Sequence, residues 1–325
     1  MDKKKGSLLS FRPDIKIVDA TIRDGGLVND FRFSEEFIKD LYEANQRAGV
    51  DYMEFGYKAS KDIFKEEEFG PWKFCDEDAL QKVIGDKNTD MKICVMADVG
   101  RCDYRKDIIP RADSVIDLYR IATYINTIPA AIHMVEHCKN LGYEATINIM
   151  AVSNAKEAEI DEALELIGNS PVDGIYLVDS YGSLYMEQIE ALADKYLAMA
   201  EKYDKFVGIH AHNNQQLAFA NTIAALTRGV SYLDATASGM GRGAGNCSTE
   251  QLLGFLKNPK YDIIPILKFL EKHIEPLKKT GIDWGYNIPY LLTGQMNRHP
   301  RSAIAATKDG RKDYLNFFLE LNDKD

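Results

Sequence analysis

The chain alternates short apolar runs with segments of helical periodicity, and it does so eight times. Strands are expected at 15–20, 52–56, 92–98, 114–121, 144–152, 174–180, 206–212 and 232–238. Such alternation implies a parallel sheet covered by helices. Eight units within ~240 residues fit a (β/α)8 TIM barrel. An open doubly wound sheet would use fewer strands and usually carries GxGxxG after the first one. The first turn here, Arg23-Asp24-Gly25-Gly26, lacks that spacing. The fold is therefore read as α/β, a TIM barrel over 1–258. Past residue 250 the β signal fades, and Ile264 to Leu277 reads as helical, so 259–325 is expected to be a helical C-terminal extension over one face.

Two connecting segments illustrate the helical signal. Ser34 is placed to cap a helix whose first residues, Glu35 and Glu36, favour its positive end. Phe37, Leu41, Ala44 and Ala48 form one stripe, and Gly49 ends it. After the seventh strand, Asn213 or Asn214 is expected to cap a helix with Leu217, Ala220, Ala224 and Thr227 on its buried face, closed by Gly229.

Composition excludes several classes. With 325 residues, 45% of them hydrophobic, the chain has ample core. A net charge of −10 repels phosphate backbones, so nucleic acid is not an expected partner. No apolar run approaches the ~20 residues that span a bilayer, so no membrane is expected. The opening Met-Asp-Lys-Lys-Lys has no apolar core behind it. It is expected not to be a secretory leader, with Lys3 to Lys5 a solvated tail. Cysteines at 75, 94, 102, 138 and 247 include no CxxC pair. That usage fits a reducing cytoplasm rather than a disulfide framework.

Chemistry-bearing residues concentrate just after the expected strands, where such barrels build their active sites. His210 and His212 end the seventh run two residues apart, so both rings project to one side. Arg23 and Asp24 follow the first. Two imidazoles and a carboxylate suit a divalent cation. Glu54, Asp98, Arg120, Asn148 and Asp179-Ser180-Tyr181 end the second to sixth strands. After the eighth comes Gly239-Met-Gly241-Arg-Gly243-Ala-Gly245-Asn246. Its glycines free backbone N–H groups for an anion, and no GK[ST] follows. Asn246 is placed to reach the ion or orient a substrate. Arg23, beside the ion, is placed to stabilise a developing enolate. His133 and His137 fall on an outer helix and read as surface or packing residues. His273 and His299 lie in the extension, with His299-Pro300-Arg301 shaping a turn near the barrel mouth.

Taken in order, these segments resemble the DRE-TIM metallolyase (HMGL-like) superfamily. Asp19-Ala-Thr-Ile-Arg-Asp-Gly25 resembles its D-x-T-x-R-D-G motif, and Gly208-Ile-His-Ala-His-Asn213 its G-x-H-x-H-N segment. Ala237 to Asn246 resembles its glycine-rich loop. Arg120-Ile-Ala-Thr123 and Val178-Asp-Ser180 look closest to the 4-hydroxy-2-oxovalerate aldolase branch. The resemblance implies Mn²⁺ or Mg²⁺ held by Asp24, His210 and His212, with Asn246 as fourth ligand or support. It implies Arg23 as the enolate-stabilising residue and Ser180 and Tyr181 as holders of a substrate carboxylate. One departure stands out: the branch's base, a His soon after the RDG motif, is absent from Gly26-Leu27-Val28-Asn29. The lyases' loop Cys is also absent, with Ser238 and Met240 in that loop. Tyr181, Tyr286, Tyr290 or a metal-bound water are left as candidate bases.

The implied activity is a metal-dependent aldolase or lyase cleaving a 4-hydroxy-2-oxo acid to pyruvate, or a related 2-oxo acid, and an aldehyde. The alternatives are a Claisen-type acyl-CoA/2-oxo acid acyltransferase, a metal hydrolase, and a catalytically altered barrel that only binds an oxo acid. A hydrolase HxH pair belongs on the first strand rather than the seventh. The expected partner is a small oxo-acid substrate. Oligomeric state stays open, and nothing in the sequence supports the aldehyde dehydrogenase that accompanies some relatives.

Overall fold

A computed structural model describes residues 9–87 and 89–323, and the expected solvated tail of Lys3 to Lys5 lies outside the described residues. Eight parallel strands close into a barrel in sequence order, with β1 paired to both β2 and β8. They are β1 Lys16–Asp19, β2 Tyr52–Tyr57, β3 Lys92–Asp98, β4 Leu118–Tyr124, β5 Glu144–Met150, β6 Gly174–Asp179, β7 Phe206–Ala211 and β8 Tyr232–Ala235. This is the expected TIM barrel. Between and beyond them run α1 Thr21–Gly25, α2 Glu35–Ala48, α3 Glu77–Ile84, α4 Tyr104–Asp107, α5 Ile128–Asn140, α6 Glu157–Gly168, α7 Met186–Tyr203, α8 Ala218–Arg228 and α9 Thr249–Phe255. The C-terminal helices are α10 Ile264–Phe269, α11 Glu275–Lys278, α12 Ile288–Gln295, α13 Arg301–Lys308 and α14 Tyr314–Asn322.

The caps of α2 are those its sequence specifies. Ser34 accepts the Phe37 N–H at 3.1 Å, and Gly49 closes the helix in the left-handed region at φ 78°. The second example is corrected. The buried residues of α8 are Ala218, Asn221, Thr222, Ala224, Ala225 and Leu226, so Ala224 is inward as expected, Leu217 and Ala220 are only half-buried, and Thr227 is exposed. Two polar side chains turn inward because each finds a carbonyl: Asn221 donates to Leu184 O at 2.7 Å and Thr222 to Ala218 O at 2.8 Å. Asn213 accepts the first N–H of the helix, from Ala218, at 3.1 Å.

β4 is also displaced from 114–121 to Leu118–Tyr124. Asp117 serves as a polar anchor ahead of the strand, accepting from Ile93 N–H and pairing with Arg111 at 2.6 Å. The shift moves Arg120 off the strand end and into the middle of the barrel, where it is fully buried. Glu54 is likewise mid-strand. The barrel interior is layered. Val18, Tyr52, Cys94 and Leu118 form an apolar floor. Above it the two-residue period brings Glu54, Arg120, Tyr176 and Asp234 inward, all buried. The free cysteines are all buried. Among the described residues, no helix is long and apolar enough to cross a membrane.

The barrel core continues past residue 258, since Phe269 of α10 packs edge-on against Phe37 of α2 at 5.0 Å. A separate small core joins Tyr290, Ala303, Ala306, Phe317 and Leu321 of the last helices to Ala244 of the loop after β8.

Candidate metal centre

Asp24 and Arg23 ride on α1, a single helical turn directly after β1. That turn is pinned from both sides. Asp19 accepts from the Thr21 N–H at 3.2 Å and from its hydroxyl at 2.8 Å, while the Thr21 oxygen accepts from Ala237 N–H at 2.8 Å. His210 and His212 come from the end of β7, their rings 5.0 Å apart and nearly perpendicular. Asn246 returns to them because the loop after β8 bridges back onto β7, pairing the backbones of His212 and Asn246.

The structure brings Asp24, His210 and His212 together: one donor atom from each lies within 4.8 Å of the others, and all three residues are buried. The free valences fit a cation. His210 Nδ1–H donates to Asp234 at 3.0 Å, which leaves Nε2 buried and without a partner. A carboxylate behind a ligating imidazole fixes its tautomer and raises its basicity. Asn246 donates its Nδ2 to Asp24 and to Met240 O, and its Oδ1 is also buried and unmatched. Burial holds His212 near a pKa of about 3, against the pull of Asp24, so the ring is neutral and able to ligate. Burial alone would raise Asp24, but His212, Arg23 and His210 together hold it well below the usual carboxylate range. A mixed nitrogen and oxygen set of this kind suits a divalent cation.

Beneath the site runs a chain of buried ion pairs. Arg23 bonds Asp24 at 2.9 Å and Glu54 at 2.8 Å. Glu54 also accepts from Arg120 at 2.9 Å, and Arg120 reaches Asp234 at 2.6 Å. Asp234 closes the circuit on His210. The Arg120 guanidinium lies 4.2 Å over the Tyr176 ring, which fits only because residue 208 is glycine: a Cβ there would sit 2.3 Å from that ring. Both ends of the chain are thus candidate ligands, and the barrel interior holds them in fixed relation.

A cavity of about 70 Å³ opens over these groups. Its polar lining includes Arg23, Asp24, Asn148, Ser180 and the two imidazoles, together with Tyr57 and Arg242. Arg23 Nη2 and Asn148 Oδ1 are buried there without partners. Ser180 accepts the Ala151 N–H at 2.9 Å through its hydroxyl. Tyr181 does not line this cavity; its ring packs edge-on against His299 at 5.7 Å. Asp98 ends β3 with its side chain mostly but not fully buried, and that burial raises its pKa. Tyr286 is half exposed and Tyr290 belongs to the small C-terminal core. His133 is exposed, and His137 packs against Tyr104, as expected for an outer helix.

Two lining residues escape sequence patterning. Strict alternation from Tyr52 and Glu54 would aim residue 56 inward. The strand register shifts between Glu54 and Tyr57, and Gly56 adopts φ 149°, so Tyr57 takes the inward place. Arg242 sits in the glycine-rich loop, where no periodicity marks direction.

A family model described as HMGL-like matches residues 14–271. The chain belongs to the HMGL-like family. A 4-hydroxy-2-oxovalerate aldolase of Pelotomaculum thermopropionicum is 29% identical over 273 residues, covering 82% of this chain and 78% of its own length. An oxaloacetate decarboxylase of Mycobacterium tuberculosis is 26% identical, covering 74% and 69%. Among solved structures, the N-terminal domain of a candidate aldolase from Bacteroides vulgatus superposes with a TM-score of 0.76 at 27% identity, covering 90% of this chain and 96% of that one. Membership of the HMGL-like family agrees with the motif-based assignment to an oxo-acid lyase.

Proposed function

We propose that this HMGL-like chain is a divalent-metal-dependent carbon–carbon lyase that cleaves a 4-hydroxy-2-oxo acid to pyruvate, or a related 2-oxo acid, and an aldehyde. The observation that carries the reading is the convergence of Asp24, His210 and His212 donors within 4.8 Å, beside a buried arginine. A divalent cation held there supplies Lewis acidity toward the oxygens of a 2-oxo acid. The chain's own residues do the rest. Asp234 holds the His210 tautomer. Arg23, locked between Asp24 and Glu54, presents its unmatched Nη2 as a fixed donor for negative charge on the 2-oxo fragment. Asn148 Oδ1 and the Ser180 segment line the space for the head of the substrate. In cleavage the C3–C4 bond breaks, the C4 hydroxyl gives up its proton as its carbon becomes the aldehyde, and the bonding pair passes to the 2-oxo fragment. That fragment then takes a proton at C3.

The proton acceptor is the distinctive point. Of the titratable groups lining the cavity, Asp24, His210 and His212 are assigned to the cation, and burial raises Tyr57 far above its ordinary range. Water is therefore the acceptor for the C4 hydroxyl proton. The same observation favours a second reading, decarboxylation of a 3-carboxylated 2-oxo acid, because loss of CO₂ needs no proton acceptor. Offering a panel of 4-hydroxy-2-oxo acids and oxaloacetate to the Mn²⁺-loaded protein, with pyruvate as readout, tests both. Pyruvate from a hydroxy acid is expected. Pyruvate from oxaloacetate alone would replace the first reading by the second. None from either, with no deuterium entering C3 of pyruvate in D₂O, would remove both.

A further inference from the structure

We infer that the substrate carries a second anionic group, a carboxylate or a phosphate, at the end remote from the 2-oxo acid head, and that Arg242 receives it. This rests on the lyase reading above for the head of the substrate.

Two arginines line the cavity, and they are not alike. The charge of Arg23 is matched by Glu54 and Asp24. Arg242 has no such match. Its Nη2 donates to the Ser180 carbonyl at 3.1 Å, and its Nη1 lies 3.3 Å from His299 Nε2. Its Nε is buried and has no hydrogen-bond partner. His299 brings no counter-charge, since burial and the neighbouring Arg242 and Arg301 hold its pKa near about 4 and the ring neutral. Among the described residues, Arg242 forms no ion pair. A guanidinium that lines a cleft with a buried donor unused and only neutral hydrogen-bond partners is matched to an incoming anion.

Size points the same way. The cavity over the candidate metal centre holds about 70 Å³, far below the roughly 300–1,000 Å³ typical of ligand clefts. It takes a small acid head and little more, so the rest of a longer substrate must pass out beside Arg242. There His299 touches Arg242 and also lines a second, open cavity of about 560 Å³. That cavity is lined by Asn154, Asn297, Arg301 and Ser302, with no carboxylate among the described residues. Arg301 is exposed and forms no ion pair among the described residues. In a chain of net charge −10, a wall that holds arginines and, among its described residues, no carboxylate is a local exception. Arg242 thus reads the far end of the substrate, and Arg301 extends the same field outward.

The test is calorimetric titration of the full-length, Mn²⁺-loaded protein with three uncleavable ligands. They are a six-carbon 2-oxo monoacid, the 2-oxo diacid of the same length, and a 2-oxo acid ending in a phosphate monoester. The two acid-tailed ligands are expected to bind roughly tenfold or more tighter than the monoacid, the scale of one charge-assisted hydrogen bond. The larger advantage identifies the anion. Arg242→Met should collapse that preference and Arg242→Lys should keep part of it. A merely structural Arg242 would weaken all three ligands together and leave their ratio unchanged. Equal binding of the three by the unmodified protein overturns the inference, whether or not the variants fold, and so does a preference that survives in Arg242→Met. Binding requires no cleavage. A protein that prefers the acid tails yet releases no pyruvate from any hydroxy acid would refute the lyase reading and leave this one standing.

Discussion

Asp234 never reaches the cavity lining, yet it determines which nitrogen of His210 is free. Replacing it by Asn keeps the shape and removes the charge, so Asp234→Asn should lower Mn²⁺ affinity roughly 10–100-fold, the usual effect of losing such a partner. Titration of Mn²⁺ into the apo-protein checks this; unchanged affinity would show that the tautomer is set elsewhere. Arg23→Lys keeps a positive charge but loses the fork that grips Asp24 and Glu54 together, and turnover should fall by about 10²-fold. Asp19 makes a separate claim on stability. Burial lifts its pKa from 3.8 to about 6 despite the bonds it accepts from Thr21. The folded state therefore binds this proton more tightly than the unfolded state. Its contribution is present below pH 3.8 and is lost as pH rises to about 6, amounting to about 3 kcal/mol. Urea unfolding on either side of that window should show the fall, and Asp19→Asn should flatten it. At this scale the two histidines were legible, because strand alternation sends residues two apart to one side. Their partner Asp234 was not, since alternation assigns a face and says nothing about which neighbour across the barrel completes a pair.

The glycine-rich loop shows how an element holds a site without donating many side chains. A Cβ on Gly241 would sit 2.2 Å from Asn246 Nδ2 and 2.5 Å from Asp24 Oδ2. Glycine here is a matter of space at the candidate ligands. Gly241→Ala should therefore weaken Mn²⁺ binding by at least about tenfold while circular dichroism stays that of the unmodified protein, because the crowded atoms belong to the site and not to the core. A variant with normal Mn²⁺ affinity would mean the loop yields without cost. The loop itself could be read from its glycines, but its aim could not. Arg242 became visible as a lining residue only in three dimensions. The same limit explains β4 and α8. Hydrophobicity marked both elements, and then Asp117 before β4, and Asn221 and Thr222 within α8, found buried partners that a count of apolar residues cannot foresee.

The whole molecule couples the barrel mouth to its last helices. Ala244 of the loop is packed into the small core of Tyr290, Ala303, Ala306, Phe317 and Leu321. Gly285 N–H donates to Gly243 O at 3.2 Å, and Trp284 Nε1 donates to Ser238 O at 2.9 Å. Farther round the rim, Asn297 accepts from Ser183 at 2.8 Å and donates to Ser153 O at 3.0 Å. The extension thus ties together the loops after β5, β6 and β8, three of the connections that frame the cavity. Short apolar patterns in 259–325 disclosed helices but not this role, because each contact is a single residue meeting a distant loop. Deleting residues 286–325 should leave the barrel folded, since Ile266, Phe269 and Ile274 remain in its core. It should also strip the loop after β8 of its outer cover. Hydrogen exchange across 237–246 should then accelerate by an order of magnitude or more, as local openings there become cheaper than global unfolding, and Mn²⁺ affinity should fall with it. Unaltered exchange in that loop would mean that the barrel alone fixes Asn246, and that the extension serves only the outer part of the cleft.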